Sequence, residues 1–163
     1  MSRKIAPWEL PYRPCAGMMV LNTEGKIFAG KRVDQRIEAW QMPQGGIDEH
    51  ENLQTAALRE LMEEISTRNV EILREHGEWL TYDLPKELIG LKWKGRYRGQ
   101  VQKWFAMRFL GLDSEIDLKT SHPEFSEWRW VGSAELLAMI VPFKRPIYEK
   151  VFEAFGDLID VKA

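Results

Sequence analysis

An α/β fold is expected from three features of the chain. Strand-like and helix-like runs interleave instead of segregating. A run of good helix formers follows the pair Gly45-Gly46, and Gly99 to Leu110, reading G-Q-V-Q-K-W-F-A-M-R-F-L, has the aromatic and aliphatic content of a strand. The 163 residues suit one compact domain spanning 1–163. Residues 1–11 form a loose lead-in, because Pro7, Pro11 and Pro14 prevent a regular element there.

Taken in order, Cys15 to Leu21 reads as a buried strand and Asn22-Thr23-Glu24-Gly25 as a turn. Lys26 to Arg32 is then the returning strand of a hairpin. Ala39 to Gln44 is short and extended and delivers the chain to the glycine loop. From about Glu51 the composition is helical, with Asp48, Glu49 and Glu51 crowding the N-terminus where negative charge suits the helix dipole. Val70 to Leu84 alternates weakly and reads as strand. Residues 85–97 form a connection rich in Lys, Gly and aromatic residues. Phe125 to Val131 is a strand, Ser133 caps a helix through about Ile140, and Phe143 to Ile159 is an amphipathic last helix with Pro146 in its first turn. The sequence alone does not order the strands in the sheet.

Composition narrows the function. A hydrophobic content of 44% with seven tryptophans allows a full core. A net charge of −2 excludes a globally basic nucleic-acid coat but leaves room for a local basic channel. Cys15 is the single cysteine, so neither an internal disulfide nor a thiolate metal cage is available, and it is expected as a small buried residue. His50, His76 and His122 lack metal-ligand spacing and are expected at the surface. No secretory signal and no run of about 18 apolar residues is visible, so a cytoplasmic location is expected.

The helix after the glycine loop carries the chemistry. At about 100° per residue, Glu60, Glu63 and Glu64 fall within an arc of roughly 100°. Leu58, Leu61, Met62 and Ile65 fall within a similar arc on the opposite side, the side expected to pack. Like charges at i, i+3 and i+4 repel, so a positive group is expected among them. Clustered hard oxygen donors suit Mg²⁺, or Mn²⁺. A solvated acidic face is the alternative that three glutamates alone would favour.

The spacing around them is more specific. Five residues separate Gly45 from Glu51, and seven more separate Glu51 from Arg59-Glu60-Leu61-Met62-Glu63-Glu64. This resembles the Nudix box, the motif of enzymes that hydrolyse a nucleoside diphosphate linked to another group. The resemblance implies a mixed curved β-sheet sandwiched between α-helices. It implies Glu60, Glu63 and Glu64 as catalytic metal ligands, with Gly45, Gly46, Glu51 and Arg59 bracing the loop and helix. Ser66 and Thr67 stand where the family has Gly and an aliphatic residue. A left-handed cap at Ser66 is expected to cost about 1 kcal/mol relative to Gly.

Blocks outside the box extend the resemblance from about Tyr12 to Ile159. Tyr-Arg-Pro at 12–14, Trp-Gln-Met-Pro-Gln-Gly-Gly at 40–46, Gln-Lys-Trp-Phe at 102–105, Pro-Glu-Phe at 123–125, Trp-Arg-Trp at 128–130 and Phe-Lys-Arg at 143–145 match the branch of bacterial RNA 5′-pyrophosphohydrolases and asymmetric diadenosine tetraphosphate hydrolases. The resemblance makes Glu124 a fourth catalytic carboxylate, as metal ligand or as the group that positions water; otherwise it is a loop carboxylate. Candidate substrate-binding residues are Arg13, Arg32, Tyr82, Lys103, Phe143 and Lys144, each with a solvated or packing alternative. Lys92, Lys94, Arg96 and Arg98 form a candidate basic rim. The expected activity is metal-dependent pyrophosphohydrolysis of the 5′-triphosphate end of RNA, leaving a 5′-monophosphate, with a dinucleoside polyphosphate as the alternative substrate. Neither DNA nor a membrane is an expected partner, and a monomer is expected. An inactive nucleotide-binding module is the reading from another class; the three box glutamates argue against it.

Overall fold

The computed structural model describes residues 6–34 and 38–163. Its centre is a parallel pair. β1 (Tyr12–Leu21) lies beside β7 (Gly99–Phe109) from Tyr12 opposite Gly99 to Leu21 opposite Arg108. Cys15 to Leu21 are all buried, as a strand covered on both faces requires. The path across the sheet is β3 (Trp40–Gln41), β2 (Ile27–Arg32), β1, β7 and β5 (Val70–Glu75). Three further strands complete it: β4 (Gln44–Gly46) on β1, β6 (Leu80–Asp83) on β7, and β8 (Phe125–Val131) along β2.

The outer edges of the central pair are each shared by two strands. β1 meets β2 only at Leu21 opposite Ile27, while its other half, Cys15 to Gly17, pairs with β4. The expected hairpin is therefore a brief crossing, and β2 finds its long partner in β8. The single strand expected over Val70–Leu84 is two strands. β5 pairs with residues 105–109 of β7 and β6 with residues 99–102, and the chain steps out at Gly77 to pass from one to the other.

Helices cover both faces. On one, α1 (Leu53–Ile65) packs Ala57, Leu61 and Ile65 against Met18, Val20, Phe105 and Met107. On the other, α2 (Ser133–Met139) and α3 (Arg145–Ala154) pack Leu136, Tyr148, Val151 and Phe152 against Met19, Leu21, Trp104 and Ala106. Alternate residues of β1 and β7 thus feed two cores, each large buried side chain contributing about 1.5–3 kcal/mol.

Three helix boundaries differ from expectation. Asn52 caps α1, its Oδ1 accepting from the backbone N–H groups of Gln54 and Thr55, so the acidic residues upstream are free for other work. Gly132, not Ser133, is the cap position of α2; Ser133 is already helical. α3 stops at Ala154 and the chain continues as turns through Asp160, consistent with the helix-weakening Gly156. Ser66 ends α1 in the left-handed conformation (φ 67°, ψ 12°), so the helix closes at this position although Gly is replaced.

Candidate active site

A cavity of about 690 Å³ opens where β4 and α1 face β6, β7 and the turn before α3. One wall is acidic. Its foundation is Arg59, whose guanidinium contacts most of the loop–helix motif. Nε and Nη2 each donate to Glu51 at 2.8 Å, and Nη2 also donates to the Gly46 carbonyl at 2.9 Å. Nη1 donates to Glu60 at 3.0 Å and to Glu63 at 3.3 Å. Arg59, helped by the Asp48 backbone N–H that donates to Glu51, pulls the Glu51 carboxyl down to about 2. The positive group expected among the glutamates is thus supplied in part by the chain itself.

Gly45 is needed because Glu60 lies against the loop: a Cβ there would collide with the Glu60 carboxylate. A Cβ at Gly46 would meet the Arg13 guanidinium. Glu60 is raised above the usual carboxylate range by burial, against the pull of Arg59. Glu64 is raised well above it, first by burial and then by the charges of Glu124 and Glu60.

The packing of α1 corrects the expected wheel. Met62 is 49% exposed and Leu58 is only partly covered, while Glu64 is 6% exposed. The two arcs are where the spacing puts them, but the helix is rolled so that the buried face runs from Glu60 and Glu64 through Ala57 to Leu61 and Ile65. The small Ala56 and Ala57 let it sit close to the sheet. Glu64 therefore looks into the cavity from below, and Glu63 stays on the solvent side, tied to Arg59.

Glu124 lines the same cavity, 3.9 Å from Arg32. Among the described residues no three carboxylate, histidine or cysteine donors stand close enough to hold one ion. The donor chemistry nevertheless fits a divalent cation. Glu64 Oε2 is buried without a hydrogen-bond partner. A buried carboxyl oxygen without a partner, and with two further carboxylates acting on it, is costly in its charged form unless a cation meets it.

The opposite wall is cationic and aromatic. Arg13, Arg32, Tyr82, Phe143 and Lys144 all line it. Arg32 is paired with Asp34 through two nitrogens, and its Nη1 donates to Gln41 Oε1 at 3.3 Å. Lys144 is buried and donates to the same Gln41 oxygen at 3.0 Å. Burial, with the positive charges of Arg32 and Lys92, brings the Lys144 ammonium down to about 7. Tyr82 and Phe143 stand with ring centroids 5.6 Å apart, and Lys144 Nζ lies 5.9 Å from the Tyr82 ring.

Lys103 lies apart from this wall. Its side chain sits between Glu75, 3.8 Å away, and the Trp79 ring, on the face of β7 that carries Phe105, and it does not line the cavity. Its position in β7 explains this, since it alternates with Gln102 and Trp104. Of the proposed rim, Lys92 reaches the cavity, whereas Arg98 is held by Asp83, the Trp8 carbonyl and the Tyr12 ring. Cys15 is fully buried and accepts from Arg13 at 3.3 Å, and burial raises its thiol to about 11. His50 and His122 are exposed and His76 half-buried.

Among the cavity-lining residues that the sequence reading did not assign are Gln41, Gln44, Gln100 and Trp93. Gln100 had a signal, since Gln100, Gln102 and Trp104 alternate and so share one face of a strand. Trp93 had none; it sits in a left-handed conformation (φ 51°) in the irregular 85–97 connection.

A model of the NUDIX domain matches residues 11–151. The chain is 56% identical over 157 residues to an RNA pyrophosphohydrolase of Cereibacter sphaeroides, covering 95% of this chain and 97% of the relative. It is 58% identical over 142 residues to an RNA pyrophosphohydrolase of Rhodospirillum rubrum, covering 87% and 86%. Among solved structures, a C. elegans Ap4A hydrolase binary complex superimposes with a TM-score of 0.63 at 20% identity, covering 89% and 98%, a likeness of fold. No helix among the described residues is long and apolar enough to cross a membrane.

Proposed function

The chain belongs to the NUDIX domain family, and from that premise we propose that it hydrolyses the 5′-triphosphate end of RNA. Water adds, pyrophosphate leaves, and a 5′-monophosphate remains on the RNA. The observation that carries this reading is the pairing of two unlike walls in one cavity: carboxylates with an orphaned oxygen face a set of cations. Identity above 50% with RNA pyrophosphohydrolases over nearly the whole chain selects the substrate.

In this reading Glu60, Glu63, Glu64 and Glu124 hold Mg²⁺, with Mn²⁺ as a substitute. The bound metal supplies charge neutralisation of the polyphosphate and a more acidic water. Arg59 and Glu51 hold Glu60 and Glu63 in place. Arg13, Arg32 and Lys144 take the phosphate oxygens. Tyr82 and Phe143 supply a stacking face for the first base, worth about 1–3 kcal/mol. Glu124, half exposed at the mouth, orients the attacking water.

Turnover of triphosphate-ended RNA and of diadenosine tetraphosphate, measured side by side across a salt series, tests the proposal. RNA is expected to be the better substrate, and its turnover at low substrate to fall more steeply with salt, because contacts to phosphates beyond the first nucleotide release counterions. Faster cleavage of the dinucleotide, with equal salt dependence, would assign the site to dinucleoside polyphosphates instead.

A further inference from the structure

The cavity has a third wall that carries no charge. Gln100 and Gln102 of β7 are 2% and 1% exposed, and Gln44 of β4 meets them across β1. Buried amides must find partners for both their donors and their acceptor. Here their polarity is fixed from one end. Trp104 Nε1 donates to Gln102 Oε1 at 2.9 Å. An indole nitrogen can only donate, so the Gln102 oxygen must face Trp104 and its NH₂ must face away. Gln102 Nε2 then donates to Gln44 Oε1 at 2.8 Å and to Gln100 Oε1 at 2.7 Å. Gln44 Nε2 donates to Gln100 Oε1 at 3.0 Å. The Gln100 oxygen thus receives two bonds. Its Nε2, which has no partner among the described residues, is the group left for the cavity that Gln100 lines.

Trp104 is itself held rigidly. It is fully buried, meets Tyr148 edge-on at 5.7 Å, and lies over Gly17, where a Cβ would run into the indole. Turning the relay round would set the indole N–H against an NH₂, two donors face to face in a dry core.

We propose that Trp104 is a positioning residue, setting the direction of the Gln102–Gln44–Gln100 relay so that Gln100 presents an N–H donor to an oxygen of the bound polyphosphate. The identity of the ligand rests on the hydrolase reading above; the direction of the relay does not. An amide donor is neutral and does not titrate, so it serves the polyphosphate at any pH, unlike Lys144 in the same cavity.

Two measurements on the intact protein test this. In steady-state hydrolysis of triphosphate-ended RNA, Trp104→Phe is expected to raise KM on the order of tenfold, as a lost hydrogen bond to a charged group does, while kcat changes by less than about twofold. In nitrogen-15 NMR, inorganic tripolyphosphate is expected to shift the Gln100 side-chain NH₂ resonances of the parent and to shift them more weakly in Trp104→Phe. Gln100→Glu leaves Trp104 unchanged and replaces the donor by an acceptor, so it should raise KM at least as much, and it decides the matter if Trp104→Phe does not fold. A folded Trp104→Phe with parental KM and parental tripolyphosphate affinity would overturn the proposal, as would a Gln100→Glu variant that binds like the parent. A parent whose Gln100 amide responds to tripolyphosphate, yet which does not cleave triphosphate-ended RNA, would remove the hydrolase reading and support the relay.

Discussion

The two charged walls of the cavity are built on opposite plans. On the acidic side, Glu60 and Glu64 come from one helix, and a single guanidinium binds Glu60 together with Glu63 on that helix's solvent side. On the cationic side, Arg13, Arg32 and Lys144 come from β1, β2 and the turn before α3, and they converge only because the sheet folds. The cations are also positioned differently. Gln41 Oε1, a neutral acceptor, takes a hydrogen bond from both Arg32 and Lys144. It orders them without cancelling their charge, although Asp34 partly satisfies Arg32. The acidic wall therefore keeps one unmet oxygen, on Glu64, and the other wall keeps an ammonium with no carboxylate bonded to it among the described residues. Each is the natural seat for half of a metal–polyphosphate ligand.

The largest test of that contrast is Glu64→Gln. Removing the orphaned charge while keeping the shape is expected to lower turnover at least about a hundredfold, the scale of a lost electrostatic contact in the transition state. Stability should move the other way. Burial raises the Glu64 pKa in the folded protein, so folded protein holds that proton more tightly than the unfolded chain does. In metal-free buffer the parent should lose stability as pH rises from the ordinary carboxylate range, about 4.5, through the raised value. Glu64→Gln should lose that slope and melt no lower than the parent at pH 7. Parental turnover at saturating Mg²⁺ would detach Glu64 from the chemistry.

Lys144 gives the mirror-image test, of smaller size. Its folded pKa lies near 7, below the ordinary 10.5. Between those values the unfolded chain binds more protons, so the parent's stability should rise with pH, by at most about 1.4 kcal/mol per pH unit for one proton. The window to read is pH 7 to 8, because the Cys15 thiol, raised from 9 to about 11, acts with the opposite sign as pH approaches 9. Denaturant melts of the parent and of Lys144→Met across that window should differ in slope. Parallel curves would mean that Lys144 titrates normally and that Gln41 does not hold it in a dry site.

The difference between the walls is also the difference in what the sequence made readable. The acidic wall follows from a helical period and from a loop–helix spacing that resembles a known motif, so the grouping of Glu60, Glu63 and Glu64 with Arg59 and Glu51 was legible before any coordinates. The roll of the helix could not, because Ala56 and Ala57 decide it through how closely they let the sheet approach. The α/β class and the two-sided burial of β1 were legible in an unbroken apolar run. The way β1 and β7 each divide an edge between two strands was not, since pairing joins residues distant in sequence. Lys103 shows the limit of matching blocks: it sits inside one, but strand alternation turns it to the far face. The glutamine relay could have been found from the same alternation, applied to Gln100, Gln102 and Trp104.

The smallest effect is expected at Ser66, which lies at the end of the acidic helix and outside both walls. It occupies a left-handed conformation that a glycine adopts more easily by about 1 kcal/mol. Ser66→Gly should gain that much, yet it deletes the hydroxyl that donates to the Asp117 carbonyl at 2.8 Å, a bond worth about 1 kcal/mol. The two terms oppose and are of similar size, so the net change should lie within about half a kcal/mol of zero. Ser66→Ala separates them. It keeps the backbone strain and loses the hydrogen bond, so it should destabilise by about 1 kcal/mol. Chemical denaturation of the three proteins reads both terms. Turnover should be unchanged throughout, because α1 is anchored to the loop by Arg59 at its middle and not by its last residue. A Ser66→Gly protein that is stabilised by a full kcal/mol would show that the Asp117 contact contributes nothing. A loss of turnover in either variant would show that the acidic wall depends on how its helix ends.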